Sequence, residues 1–410
     1  MSTGQMVVRP QRPNMAEFHT MVEALRNPRL KGFGTTVFAE MSALAKKTGA
    51  INLGQGFPDT DGPREVAEAA AHAVLHGPNQ YPPLLGQRGL RAAVAEHQQR
   101  FYGLGYDPET EVLITAGATE AIAAAMFGLC DWGDEVITFE PSYDSYSASI
   151  SMAGAVKKVV LLEAPDYSFD IEAFASAVSP KTRAILLNTP HNPTGKVFTQ
   201  AELGQLAKVA IEHDLVVISD DVYQHMVFDG RHIPIASLPG MRERTISIGS
   251  AGKSFSFTGW KVGWVTAPEA LRDAVMVAKQ FLTFVNAAPL QPAVEVGLRL
   301  GDDYFDGLRD SLRSKRDRLH TGLTEIGFDV HHAQGAYFLT ADITNIAAAN
   351  NLPPSSIEFC LALPVAAGVV AIPSEVFYET KEAGRRFIRF TFAKRDIVLD
   401  EALDRLAVLG

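Results

Sequence analysis

Between about residues 64 and 300, six short and nearly unbroken apolar runs alternate with stretches of helical periodicity: EVLIT (111–115), DEVITFE (134–140), RAILLNT (183–189), DLVVISD (214–220), RTISIGS (244–250) and KVGWVTA (261–267). A strand that is apolar on both faces must be covered on both, which is the condition of parallel strands joined through crossover helices. The pattern predicts an α/β fold with a mostly parallel central sheet flanked by helices. Each run ends in a cluster of Gly, Pro, Ser, Asn or Asp, and in open α/β sheets ligands collect at the carboxyl ends of the strands. The chemistry is expected there.

Beyond about residue 300 the texture changes. A charged amphipathic stretch, RDSLRSKRDRLHTGLTEIG, is followed by the short strands AYFLTADI and RRFIRFTFAK and a closing helix, which reads as a smaller α+β domain. The expected division is an N-terminal arm (1–30), a segment packing with the small domain (31–63), a large α/β domain (64–300) and the small domain (301–410). The first residues, MSTGQMVVRPQRPN, lack the apolar core of a secretory signal and read as a loose arm rather than a transit peptide.

Composition excludes several partners. The net charge is −10 and no basic block is interleaved with aromatics, so a nucleic-acid surface is not expected. No apolar run approaches the roughly 20 residues that span a bilayer. Cys130 and Cys360 stand far apart in apolar stretches, which implies neither a disulfide framework nor a cysteine zinc site and suits a reducing cytoplasm. The adjacent His331 and His332 point to opposite sides of any strand, and the other histidines do not give the spacing of a metal site.

The segment SIGSAGKSFSFTGWKVGW carries the most chemistry. Lys253 follows a strand directly and sits among Gly252, Ser254 and Gly259, small residues that permit close backbone approach. A solvated surface lysine is the bland reading, and GKS also closes a phosphate loop of the Walker type. That loop needs a glycine five positions before its second glycine, where this chain has Ser247, which disfavours an ATPase. Three more clusters stand at strand ends or in the C-terminal part: HNPTG (191–195), SDDVY (219–223) and FIRFTF (387–392). Alone they are a Pro-Gly turn, a helix cap and a strand with an edge charge.

In this combination and order they resemble the class I/II aminotransferases of fold type I, the aspartate-aminotransferase superfamily, over nearly all of residues 30–410. Within it, GTTVFAEMSALA (34–45), INLGQGFPDTDGP (51–63), NQYPP (79–83), AGATEA (116–121), EPSYDSY (140–146) and IPIASLPGMRERTISIGSAGKSFSFTGWKVGW (233–264) resemble the branch of kynurenine and glutamine transaminases, methionine aminotransferases and N-succinyldiaminopimelate aminotransferases.

The resemblance implies a pyridoxal 5′-phosphate enzyme and assigns roles. Lys253 matches the lysine that carries the cofactor as a Schiff base and then acts as general base. Asp220 matches the carboxylate facing the pyridine nitrogen. Tyr223 and Asn192 match the groups bonded to the phenolic oxygen, and Arg389 matches the fork that takes the substrate α-carboxylate. Ala118 and Thr119 at a helix N-terminus, with Ser250 and Lys261, match the phosphate ligands. Tyr143 matches the ring stacked on the pyridine, Gly56 a backbone position near the carboxylate, and Tyr81 a tyrosine that reaches the neighbouring subunit's phosphate, which implies a homodimer with shared sites.

For the side-chain pocket, Phe38 stands where kynurenine transaminases place a tryptophan, Thr119 where they place a tyrosine, and Val285 replaces their histidine beside Phe284. A pocket of Phe38, Tyr143 and Phe284 suits methionine, glutamine or aromatic donors. N-succinyldiaminopimelate would require a cation for its distal carboxylate. A carbon–sulfur β-lyase is the alternative within the fold. A transcription regulator built on it would need a DNA-binding domain, for which residues 1–30 are too few.

Overall fold

The central sheet forms where the apolar runs place it, with one change of direction and one strand more than they announce. In the computed structural model the strands in chain order are β1 (Ile51–Asn52), β2 (Val112–Thr115), β3 (Glu135–Glu140), β4 (Val156–Leu161), β5 (Thr182–Asn188), β6 (Val216–Asp220), β7 (Thr245–Ser250), β8 (Gly263–Thr266), β9 (Asp329–Val330), β10 (Phe338–Asp342), β11 (Val369–Val370), β12 (Ile372–Pro373) and β13 (Phe387–Thr391). Seven of them form one sheet in the order β2-β8-β7-β6-β5-β3-β4.

Alternate residues of the central strands feed two cores. Val136, Leu186, Ile218, Ile246 and Ile248 pack on one face with the helix Gly117–Leu129, whereas Ile137, Ile185, Leu187 and Val217 pack on the other with Phe174 and Leu206. That is the physical reason the runs are unbroken: the two-residue strand period sends neighbours to opposite faces and both are dry.

The run KVGWVTA, expected to be parallel like the rest, is antiparallel as β8 to both β7 and β2. Ala251–Val262 connect β7 to β8 through the four-residue helix Ala251–Ser254 and a 3₁₀ turn, with no crossover helix between them. The additional strand, β4, lies at the sheet edge, where Lys157 and Lys158 break its apolar run. Lys157 pairs with Glu140 and Glu379, and Lys158 with Glu135.

The C-terminal part holds a four-stranded antiparallel sheet, β12-β13-β10-β9, in which Thr340 of β10 faces Arg389 of β13. The 25-residue helix Asp302–Ile326 and the helix Asp396–Leu406 contribute Leu319, Leu323, Leu399 and Leu406 to its core. β1 pairs with β11, and Leu53 bridges Val370 and Thr391 through its backbone, which fixes the following Gly54–Phe57 against the small sheet.

The structure describes Leu25 and residues 27–34, 36–77 and 79–410. Residues 35–410 make up one compact unit. In the unit before it, a 3₁₀ turn at Pro28–Leu30 is capped by the Asn27 side chain, and most of the expected arm lies outside the described residues. Among the described residues no helix is long and apolar enough to cross a membrane.

Candidate active site

A cavity of about 340 Å³ lies at the carboxyl ends of β5, β6 and β7. Asp220 is the last residue of β6 and Tyr223 lies in the turn beyond it. Ser250 ends β7, and Lys253 sits in the short helix that follows. Asn192 comes from the loop after β5, Tyr143 caps the helix Asp144–Ala153, and Arg389 reaches in from β13. Phe38, Gly56, Ala118, Thr119 and Lys261 complete the expected residues that line the cavity.

One end of the cavity is built for an anion. Ala118 and Thr119 open the helix Gly117–Leu129, where backbone N–H groups have no intrahelical acceptor. Gly117 has φ +75°, and a Cβ there would lie 3.2 Å from Lys261 Nζ; a Cβ on Gly263 would lie 2.9 Å from the Gly117 Cα. The absence of both side chains brings the lysine up against the helix terminus. Burial and the neighbouring Lys253 hold Lys261 below the usual lysine range.

A second cation enters the cavity from β13. Arg389 is buried, donates through Nη1 to Asn192 Oδ1 (2.8 Å) and through Nη2 to the Gly54 carbonyl (3.1 Å), and leaves Nε without a partner. Its guanidinium carbon lies 4.1 Å from the Phe338 ring centre, 5.0 Å from Phe377 and 5.2 Å from Phe38. Burial lowers its pKa to about 10, so it stays charged at neutral pH. No carboxylate among the described residues pairs with it, and a buried guanidinium in that state favours an incoming carboxylate.

Asp220 lines the same cavity. Its Oδ2 accepts from the Tyr146 hydroxyl at 2.6 Å, while Oδ1 is buried with no protein partner. Burial raises the carboxyl to about 6, against the opposing pull of the Tyr146 hydroxyl, the Val222 backbone N–H and Lys253. A pKa raised above the unfolded value of 3.8 contributes stability that is whole below about pH 4 and is lost as pH climbs through 6, in total roughly 3 kcal/mol. Thermal midpoints of the cofactor-free protein should therefore fall across that window in part through Asp220, and Asp220→Asn should flatten the fall. An unchanged pH profile in the variant would contradict this assignment.

Two expected residues lie elsewhere. Tyr81 is exposed and Phe284 half exposed, and their rings pack edge to face at 5.4 Å, away from the cavity. Phe284 therefore does not join Phe38 and Tyr143 in the wall: its backbone is left-handed (φ +64°), and Lys279 Nζ holds its carbonyl at 2.7 Å, which turns the ring outward. Tyr146 and Tyr337 were not singled out from the sequence. Tyr146 follows Tyr143 by three positions on one helix, a spacing that points to a shared face. Tyr337 accepts from Lys253 Nζ at 2.7 Å, and no spacing announces it.

Lys253, a buried carboxylate and two further cations thus line one cavity. The family described as aminotransferase class I and II matches residues 48–406. The chain belongs to this family. A probable N-succinyldiaminopimelate aminotransferase of Mycobacterium tuberculosis is 51% identical over 394 residues, 93% of this chain and 98% of that protein. A solved structure of the N-succinyldiaminopimelate aminotransferase from that organism superimposes with a TM-score of 0.91, covering 94% of this chain and all of the other. The methionine aminotransferase of Escherichia coli is 40% identical over 382 residues, 93% of this chain and 97% of its own. The fold of this aminotransferase is thus fold type I, and members of the family depend on pyridoxal phosphate.

Proposed function

We propose that this aminotransferase holds pyridoxal 5′-phosphate in the cavity, attached through Lys253, and moves the α-amino group of an amino acid with an uncharged side chain to a 2-oxo acid. The observation that carries the reading is a pair of buried groups that line one cavity with Lys253: Asp220, whose Oδ1 has no hydrogen-bond partner, and Arg389, whose Nε has none and which pairs with no carboxylate among the described residues. A protonated pyridine nitrogen suits the first and an α-carboxylate the second. The anion site of Ala118, Thr119, Ser250 and Lys261 suits the phosphate, and the Tyr143 ring suits the face of the pyridine.

When bound, the cofactor supplies an electron sink that makes the Cα proton of an amino acid removable. The protein's part is positional and protonic. Arg389 fixes the α-carboxylate. Asn192, whose Oδ1 is committed to Arg389, has Nδ2 left to donate to the phenolic oxygen beside the Tyr223 hydroxyl. Asp220 keeps the ring nitrogen protonated, and Lys253 Nζ takes the proton from Cα and returns one. Residues 64–300 hold the cofactor in this reading, while 301–410 bring Arg389.

Lys253, Lys261 and Arg389 are the cations lining the cavity, and all three are committed. The walls left for a side chain are Phe38, Phe57, Ile122 and Phe338, which favours methionine, glutamine or aromatic donors. The 51% identity favours a second reading, N-succinyldiaminopimelate, whose distal carboxylate would draw a cation from outside this lining. Tyr81 and Phe284 face outward together, which supports a homodimer that offers them to the second copy's cavity. The two free cysteines suit a cytosolic setting.

A half-reaction screen tests the donor. The cofactor-loaded protein, mixed separately with methionine, glutamine, kynurenine, phenylalanine and N-succinyldiaminopimelate, should lose its cofactor band at about tenfold or greater rates with the uncharged donors. A faster loss with N-succinyldiaminopimelate would hand the assignment to the second reading.

A further inference from the structure

We propose that Tyr337 is the positioning residue of Lys253: its hydroxyl captures the lysine amine whenever that amine is free, and ties it to the Gly54–Phe57 segment. The proposal rests on the reading that Lys253 carries the cofactor.

Tyr337 Oη lies 2.7 Å from the Gly56 carbonyl and 2.7 Å from Lys253 Nζ. A phenol has one proton and a carbonyl can only accept, so the proton belongs to the bond with Gly56. Toward Lys253 the oxygen can then only accept. This bond exists only while Nζ carries hydrogens, and it commits one N–H, which limits the directions left to the nitrogen lone pair. The hydroxyl therefore distinguishes the free lysine from the lysine joined to the cofactor, and it favours the free one.

The ring is fixed well enough to do this. Tyr337 is 1% exposed and packs edge to face on Tyr223 at 5.2 Å. Its carbonyl accepts from the Phe392 N–H and the Thr391 hydroxyl, each at 3.1 Å, and it follows Ala336, whose φ is +58°. The segment it reaches is equally confined: a Cβ on Gly56 would sit 2.7 Å from the Phe338 ring. One hydroxyl in the turn before β10 thus links the lysine after β7 to the backbone after β1.

Exchange with a small amine tests this without turnover. Methylamine adds to the carbon joined to Lys253, the C=N bond passes to the methylamine nitrogen, and the two hydrogens that nitrogen loses end on Lys253 Nζ. Borohydride reduction followed by peptide mass spectrometry counts the chains in which cofactor is still joined to Lys253. In Tyr337→Phe the released amine loses its acceptor, so about five- to tenfold more methylamine should be needed for half-release, the value of one hydrogen bond. Tyr337→His, which keeps a ring nitrogen able to accept, should fall between the two, and it serves alone if the Phe variant does not fold. A Tyr337→Phe midpoint within twofold of wild type, or a shift toward less methylamine, overturns the proposal while the lysine assignment stands. Absence of any cofactor on Lys253 in the wild-type protein sinks both.

Discussion

Replacing Lys253 with alanine is expected to lower the rate of amino transfer by about 10⁴-fold or more, because one residue serves as attachment point and as base. The fold should survive. Lys253 sits in a four-residue helix and its side chain makes a single hydrogen bond, to Tyr337. The cofactor should still associate, since the anion site at Ala118, Thr119 and Lys261 and the free Oδ1 of Asp220 are untouched. Denaturation and desalting should then strip the cofactor from the variant, whereas borohydride-reduced wild type keeps it. Retention of more than about a hundredth of the wild-type rate, at the level expected when only one general base is removed, would place the base elsewhere.

Arg389→Gln should cost about 10²- to 10³-fold in kcat/KM for the amino acid and the 2-oxo acid alike, because each presents its carboxylate to the same guanidinium. The size follows from losing a charge-assisted bidentate pair in a dry site, roughly 3–4 kcal/mol at 1.4 kcal/mol per decade. Phe38, Phe338 and Phe377 surround that guanidinium within 5.2 Å, so no water-filled space replaces it cheaply. The measurement is the concentration dependence of both half-reactions. A loss confined to one of them would mean that Arg389 does not hold the carboxylate common to both.

Much of the fold was legible because double burial leaves an unmistakable pattern: Val136 and Ile137, or Val217 and Ile218, serve opposite cores in consecutive positions. Direction was not legible, since an apolar run is the same whichever way it points, and the chain between Ser250 and Gly263 forms a four-residue helix and a 3₁₀ turn rather than the crossover helix that a parallel β8 would use. Nor was β4, whose two lysines find partners in Glu135, Glu140 and Glu379 that lie far along the chain.

The site was legible where its residues sit in short motifs at strand ends. Lys253, Asp220 and Asn192 come from three such motifs, Arg389 from within β13, and the cavity gathers them together. Tyr337 escaped because its meaning lies in contacts with Lys253 and Gly56, 84 and 281 residues distant. The direction of Phe284 was not legible because an aromatic residue in a loop carries none; a left-handed backbone and the Lys279 ammonium turn it away from this chain's own cavity.

Nitrogen tracing tests the central claim most directly. The cofactor-loaded protein would be given ¹⁵N-labelled methionine and an unlabelled 2-oxo acid, and the label followed by mass spectrometry. Amino transfer predicts ¹⁵N in the amino acid formed from the oxo acid, one for each methionine consumed, with no labelled ammonia. Label appearing as ammonia, at a rate indifferent to the oxo acid, would contradict it and identify lyase chemistry at Lys253 instead.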